Sequence, residues 1–143
     1  WDDGPAGDLF AAVAESAADH RDRIDADATS DVDRPLYDAV DGDDAPTRLG
    51  ALFGWSTVAG KTLSQMVGFF VGDADPAAAD AFRGIRDDVD DHREDALGAL
   101  EEHCGVDDDW ERAEAAAAAV VEAAYDEYVE KLEAMGIKPK NIC

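Results

Sequence analysis

Three histidines are the side chains in this 143-residue chain best suited to metal binding or acid–base chemistry: His20, His92 and His103. Each falls among apolar residues at helical spacing, and helical bundles mount metal ligands on such faces. His92 and His103 lie about 16 Å apart by helical rise, so they cannot share an ion, whereas His20 can meet either of them. We predict His20 and His92 as the candidate metal pair. The alternative is that these histidines simply bond to backbone or carboxylate groups.

Arg86 and His92 form a candidate catalytic pair. Five residues separate them, and Asp87 directly follows the arginine. This spacing resembles the loose arginine-to-histidine motif of HEPN ribonucleases, which are also small helical bundles. The resemblance covers these residues alone and implies a histidine acting on a ribose 2′-hydroxyl, with the arginine steadying the phosphate. Acidic neighbours would repel an RNA backbone, namely Asp88, Asp90 and Asp91.

Small side chains form a stripe along the most apolar segment of the chain, residues 47–72. They recur at every fourth position, and Gly50 and Gly54 begin a second row. A neighbouring helix can approach closely over such a surface. Polar residues through the middle of the segment argue against a membrane span. We therefore predict a contact with a second copy or a protein partner along the stripe, which consists of Ser56, Gly60, Ser64, Gly68 and Gly72.

Hydrophobic spacing and capping residues predict four long helices and one short one. The first follows Gly7, with Asp8 as its N-cap, and the short one passes through Leu36, Tyr37 and Val40. The central helix covers residues 47–71. Asp75 and Pro76 open the next helix, which stops at Gly105. Asp108 and Glu111 have the spacing of a capping box for the last helix, and Gly136 ends it.

The fold class that follows is all-α: an antiparallel four-helix bundle with one additional short helix, in a single domain over residues 1–143. Residues 1–7 and 137–143 are expected to be tails. A weaker possibility is a small-molecule pocket between the central and last helices, lined by Trp55, Trp110 and Tyr128. Cys104 is expected in the core and Cys143 as a free thiol in the tail.

The charge is extreme and is not gathered in one tail. Asp and Glu number 35 against 12 Lys and Arg, which gives a formal net charge of −23. Such a surface repels itself in dilute buffer but is screened in molar salt, where the Debye length falls to about 3 Å. With Asp outnumbering Glu and Arg outnumbering Lys, the composition resembles that of haloarchaeal proteins as a class. We therefore expect a protein that needs high salt for stability.

Together these patterns favour a non-catalytic halophilic bundle that acts through homo-oligomer or partner contact. The alternative is an enzyme centred on His92, either a HEPN-like ribonuclease or a metal site of histidine and carboxylate. No cofactor, DNA partner or membrane is expected, and RNA is disfavoured because no basic footprint is present. A cytoplasmic location is the default expectation. The chain begins with Trp1, which leaves open the loss of an export signal.

Overall fold

The computed structural model describes residues 5–24, 38–39 and 42–138, and these segments form an all-α protein, as predicted. The predicted short helix through Leu36, Tyr37 and Val40 lies outside the described residues, as does Cys143. Among the helices of the described segments, none combines the length and the apolar character that crossing a bilayer requires. The four helices are α1 (Pro5–Arg23), α2 (Ala45–Gly72), α3 (Pro76–His103) and α4 (Asp107–Ala134).

Aspartate side chains begin the two central helices. Asp44 Oδ1 accepts a hydrogen bond from the Thr47 amide at 2.8 Å at the start of α2. Asp75 Oδ1 accepts one from the Ala78 amide at 3.0 Å, with Pro76 at the first position of α3, which confirms the predicted cap. The Thr47 hydrogen bonds, reinforced by the charge of Arg112, hold the pKa of Asp44 below its ordinary value of 3.8.

The predicted capping box of α4 is wrong by two residues, because the N-cap is Val106 rather than Asp108. The helix begins at Asp107, and Asp109 rather than Glu111 accepts hydrogen bonds from the preceding amides, Gly105 at 3.0 Å and Val106 at 3.3 Å. Asp109, the third aspartate of the first turn, therefore accepts the capping hydrogen bonds. The predicted end is confirmed, because Gly136 has a φ of +76°, a left-handed conformation that favours glycine.

The start of α1 also differs from the prediction. The helix begins at Pro5, inside the segment 1–7 predicted as a tail, and Asp8 lies in its first turn rather than at its cap. Proline is well tolerated at such a position, since its missing amide hydrogen would have no partner in the helix anyway. Residues 5–7 are therefore helical.

The helices pack mainly around α2. Helix α2 packs against both α3 and α4, and α1 packs against α3. Phe70 of α2 stacks on Phe82 of α3 with ring centroids 5.3 Å apart, and Leu49 meets Leu100 near the other end, so α2 and α3 are antiparallel. Helix α4 runs parallel to α2, because Gly50 contacts Ala113 and Gly54, one turn later, contacts Ala117. The antiparallel bundle is therefore not confirmed.

The close contact between α2 and α4 depends on two glycines. A Cβ atom built on Gly50 would lie 2.7 Å from the Cα of Ala113, and one on Gly54 would lie 2.9 Å from the Cα of Ala117. Real Cβ atoms essentially never come so near a main chain, so only glycine fits at these two positions. Among the described helices, the closest approach to α2 is therefore at the row of Gly50 and Gly54, not along the stripe that begins at Ser56.

The core follows these helix contacts. One buried cluster joins α2, α3 and α4 through Leu49, Leu100 and Ala113, and Cys104 completes it as predicted. Burial, together with the nearby acids Asp109 and Asp44, raises the pKa of the Cys104 thiol. The thiol is therefore an inert core group at neutral pH.

Ser56 places a hydroxyl group in this core without a hydrogen bond. The side chain is fully buried, and no partner for its Oγ is found among the described residues. A buried polar group without a partner costs about 1 to 3 kcal/mol. Ser56→Ala should therefore raise the free energy of unfolding by about 1 kcal/mol in urea titrations.

A matched variant separates the hydroxyl from helix propensity. The hydroxyl of Ser64 lies on the same helix, is exposed, and donates a hydrogen bond to the Gly60 carbonyl at 2.9 Å. Ser64→Ala gives the same gain in helix propensity as Ser56→Ala but does not remove a buried hydroxyl group. Equal gains in the two variants would contradict the cost assigned to the buried group.

Candidate functional site

The first histidine lies in a small polar network between α1 and α3. His20 Nε2 is 3.0 Å from Asp88 Oδ2 and 3.1 Å from Ser16 Oγ. Arg23 donates to the same Asp88 oxygen at 2.9 Å and pairs with Asp19 at 2.6 Å. Asp88 could not be recognised from the sequence as the partner of His20, because nothing distinguishes it from its acidic neighbours along α3. This arrangement fastens α1 to α3.

The predicted metal pair is not joined by a shared contact. His92 lies one helical turn after Asp88 on α3, half-buried, and the described residues provide no hydrogen bond or ion pair for it. Within the described segments, no group of three or more His, Cys, Asp or Glu side chains is placed to hold a metal ion. His103 Nδ1 lies 2.8 Å from the Ala99 carbonyl oxygen, the backbone bond that was the alternative prediction.

The predicted catalytic pair occupies a single helix. Arg86 and His92 are six positions apart on α3, which corresponds to about 9 Å along the axis and about 120° around it. Arg86 donates a hydrogen bond to Asp87 at 3.1 Å. The two side chains therefore leave different faces of the helix, and no contact in the described segments brings them together.

The His20 network predicts a measurable pH dependence. Burial opposes ionisation of Asp88, but the His20 hydrogen bond and the Arg23 charge outweigh it, so the pKa of Asp88 lies below its ordinary value of 3.8. A depressed pKa contributes stability that is present above the unfolded-state value and is lost as the pH falls through the folded-state value. Because Asp88 is 36% exposed, the contribution is expected to stay below about 1 kcal/mol.

Asp88→Asn tests this network. The variant should lose stability at neutral pH, and amide hydrogen exchange should accelerate in α1 more than in α2. The difference from the wild type should shrink once the pH falls below 3.8, where the wild-type carboxyl begins to lose its charge. A difference that is the same at neutral and acidic pH would show that Asp88 contributes through packing instead.

The predicted interface stripe divides into two halves. Ser56 and Gly60 are buried inside the protein, and a Cβ on Gly60 would come within 3.4 Å of Asp90 on α3. Ser64, Gly68 and Gly72 are exposed, and Cβ atoms on the two glycines would meet nothing within 4 Å. The stripe therefore packs internally over its first half and is open over its second.

Large apolar side chains lie beside the open half. Phe69 is 62% exposed and Val71 is 55% exposed. Phe69 packs edge-on against Phe70, whose ring stacks on α3, so the exposed ring is supported from one side. We call this area the α2 end surface, and it consists of Ser64, Gly68, Phe69, Val71 and Gly72.

The α2 end surface also differs from the rest of the protein in charge. Helix α2 has no Asp or Glu over its whole length, and its only charged residues are Arg48 and Lys61. The other three helices all carry acidic residues. In a protein of net charge −23, α2 thus presents an apolar surface without carboxylates of its own.

The predicted pocket between Trp55 and Trp110 is replaced by two separate cavities. Trp55 lines a cavity of about 500 Å³ between α1, α2 and α3. Trp110 lines a smaller one of about 260 Å³, bounded by α2, α3 and α4, next to Phe53. Trp55 packs against the buried pair Ala51 and Val120, whereas Trp110 lies ten residues earlier on α4, so the two indoles line different cavities.

No protein-family model, curated protein or solved structure matches this chain. Its function must therefore be argued from its own contacts and charges.

Proposed function

We propose that this chain is a non-catalytic helical protein that acts by self-association in concentrated salt, through the α2 end surface. The observation that carries the proposal is an exposed apolar surface on a helix that has no acidic residue from Ala45 to Gly72, with Asp73 following as its C-cap, in a protein that is acidic elsewhere. Exposed apolar patches of this kind mark protein contacts.

Charge favours a second copy as the partner at this surface. Two copies of net charge −23 repel each other, and a contact made through α1, α3 or α4 would bring their carboxylates together. Like charges brought together across an interface cost several kcal/mol. A contact between two α2 end surfaces brings no helix-borne carboxylate of α2 into the interface.

Shape supports the same contact. Gly68 and Gly72 have no Cβ and nothing packed over them, so a second helix can approach closely. Phe69 and Val71 then supply the apolar area that close packing would remove from water. The same kind of close packing occurs inside the protein, where α4 contacts α2 at Gly50 and Gly54.

Concentrated salt is the condition that permits this association. In the described segments, His20 and Arg23 pair with Asp88 across α1 and α3, and Arg112 of α4 pairs with Asp44. Most carboxylates can only be solvated, since acids outnumber cations by 35 to 12. Screening at molar salt shortens their mutual repulsion to about 3 Å, which lets two copies meet.

Two glycines allow a matched test. Gly68 on α2 and Gly98 on α3 are both exposed helical glycines with nothing within 4 Å of an added Cβ. Gly68→Glu places a carboxylate at the centre of the proposed contact and should weaken self-association at least tenfold by sedimentation equilibrium in molar KCl. Gly98→Glu adds the same charge elsewhere and should leave it unchanged. Equal effects of the two substitutions would refute a contact through α2.

A further inference from the structure

The cavity between α1, α2 and α3 has the size and lining of a small-molecule site. Its volume of about 500 Å³ falls within the range of about 300 to 1,000 Å³ that is typical of ligand pockets. Its walls are mostly apolar, with Trp55 and Leu63 from α2 and Phe82, Ile85 and Val89 from α3. Ile85 and Val89 are buried, which fixes that wall within the core. A hydrocarbon lining of this kind holds water poorly.

Polar groups are gathered on the α1 side of the cavity. His20 and Arg21 line it there, and the rest of the lining is apolar apart from Thr62. Asp88 and Ser16 hold the His20 ring in place through Nε2. Arg23 pairs with Asp19 and Asp88, whereas the contact of Arg21 within the described residues is a long one of 3.8 Å to Asp22. Arg21 is therefore the cation available to a ligand at this cavity.

We propose that this cavity binds a long-chain monocarboxylic acid, with its hydrocarbon chain between Trp55 and Phe82 and its carboxylate at Arg21. Arginine presents a planar fork of donors that matches a carboxylate. The large negative charge of the protein would repel such an anion in dilute buffer. In molar salt the repulsion is screened beyond about 3 Å, so the nearest charge, that of Arg21, decides the interaction.

Binding can be measured with a fluorescent fatty acid, dansyl-undecanoic acid, and with its methyl ester, both below their micellar concentrations in molar KCl. The acid should bind saturably and accept excitation energy from tryptophan, and Trp55→Phe should reduce this transfer more than Trp110→Phe, because Trp55 lines the cavity. The ester keeps the chain but has no charge, so it should bind roughly fivefold more weakly, the size expected for an exposed ion pair. Absence of saturable binding by the acid would overturn the proposal.

Substitutions at four positions locate the ligand. Ala59 lines the cavity, and Ala59→Trp should fill it and abolish binding of both probes; Val58→Phe serves the same purpose if the first variant loses its helical circular dichroism. Arg21→Gln should remove the preference for the acid over the ester, whereas Lys131→Gln, which removes an equally exposed cation on α4, should not. Unchanged binding in the filled cavity, or an unchanged preference in Arg21→Gln, would contradict the proposed site.

The cavity is independent of the α2 end surface. Gly68→Glu should therefore leave probe binding intact even where it separates the two copies. Loss of probe binding in Gly68→Glu would place the probe at the contact between copies and overturn the cavity as its site.

Discussion

Gly50→Ala is expected to cost about 3 kcal/mol of unfolding free energy, the largest effect of an added methyl group at any described glycine. The added Cβ would lie 2.7 Å from the Cα of Ala113 and against the main chain around it. A backbone cannot rotate out of the way as a side chain can, so α4 must move off α2 and loosen the buried contact of Val120 with Ala51. Overpacking of a core typically costs about 1 to 3 kcal/mol, and a rigid neighbour puts this case at the upper end.

Urea unfolding in molar KCl measures this cost, and two controls define its cause. Gly98→Ala adds the same methyl group to an exposed helix position with free space around it, and should stabilise the protein by about 0.5 to 1 kcal/mol. Adding Ala113→Gly to Gly50→Ala should not restore stability, because the close contact is with the main chain of Ala113 rather than its methyl group. Rescue by that second change would refute the backbone contact between α2 and α4.

The second large effect concerns salt. A Coulomb estimate for a charge of −23 on a sphere of this size gives a self-repulsion that falls by on the order of 10 kcal/mol between about 0.1 M and 1 M salt. The unfolded chain holds the same charges further apart, so part of this difference appears in the free energy of unfolding. Since a whole domain is stable by only about 5 to 15 kcal/mol, Tm in molar KCl should exceed that in dilute buffer by at least about 10 °C.

Neutralising part of the acidic surface tests whether charge is the cause. Glu122, Asp126, Glu130 and Glu133 are exposed on α4. Replacing them with Gln and Asn removes four negative charges and leaves the core unchanged. The salt concentration at which the variant folds should then be lower than that of the wild type. A cooperative transition with the same Tm in salt-free buffer and in molar KCl would contradict the adaptation to salt.

The helices were predictable because their signals are local. Asp75 with Pro76 and the final Gly136 act within one turn of the residues that they cap, so the sequence alone shows them. The cap of α4 was misplaced because three successive aspartates offer the same chemistry, and only geometry selects Asp109. A helix end can therefore be predicted from the sequence where only one residue nearby can act as the cap.

The arrangement of the helices was harder to predict, because it depends on choices between similar surfaces. The sequence contains two rows of small residues on α2 but does not show which one meets another helix of the same chain. In the structure, α4 packs on the row of Gly50 and Gly54, and nothing in the described residues packs over Gly68 and Gly72. Likewise, the position of His20 among apolar residues indicates a buried contact. The sequence does not show which of several aspartates on α3 is its partner, and the structure identifies Asp88.

The mass of the unmodified protein in molar KCl tests the central claim most directly. Sedimentation equilibrium over a wide range of protein concentrations should give a dimer, twice the chain mass of 15.2 kDa, that dissociates as the salt is diluted. A single-chain mass at every concentration in molar KCl would contradict self-association through the acid-free end of α2.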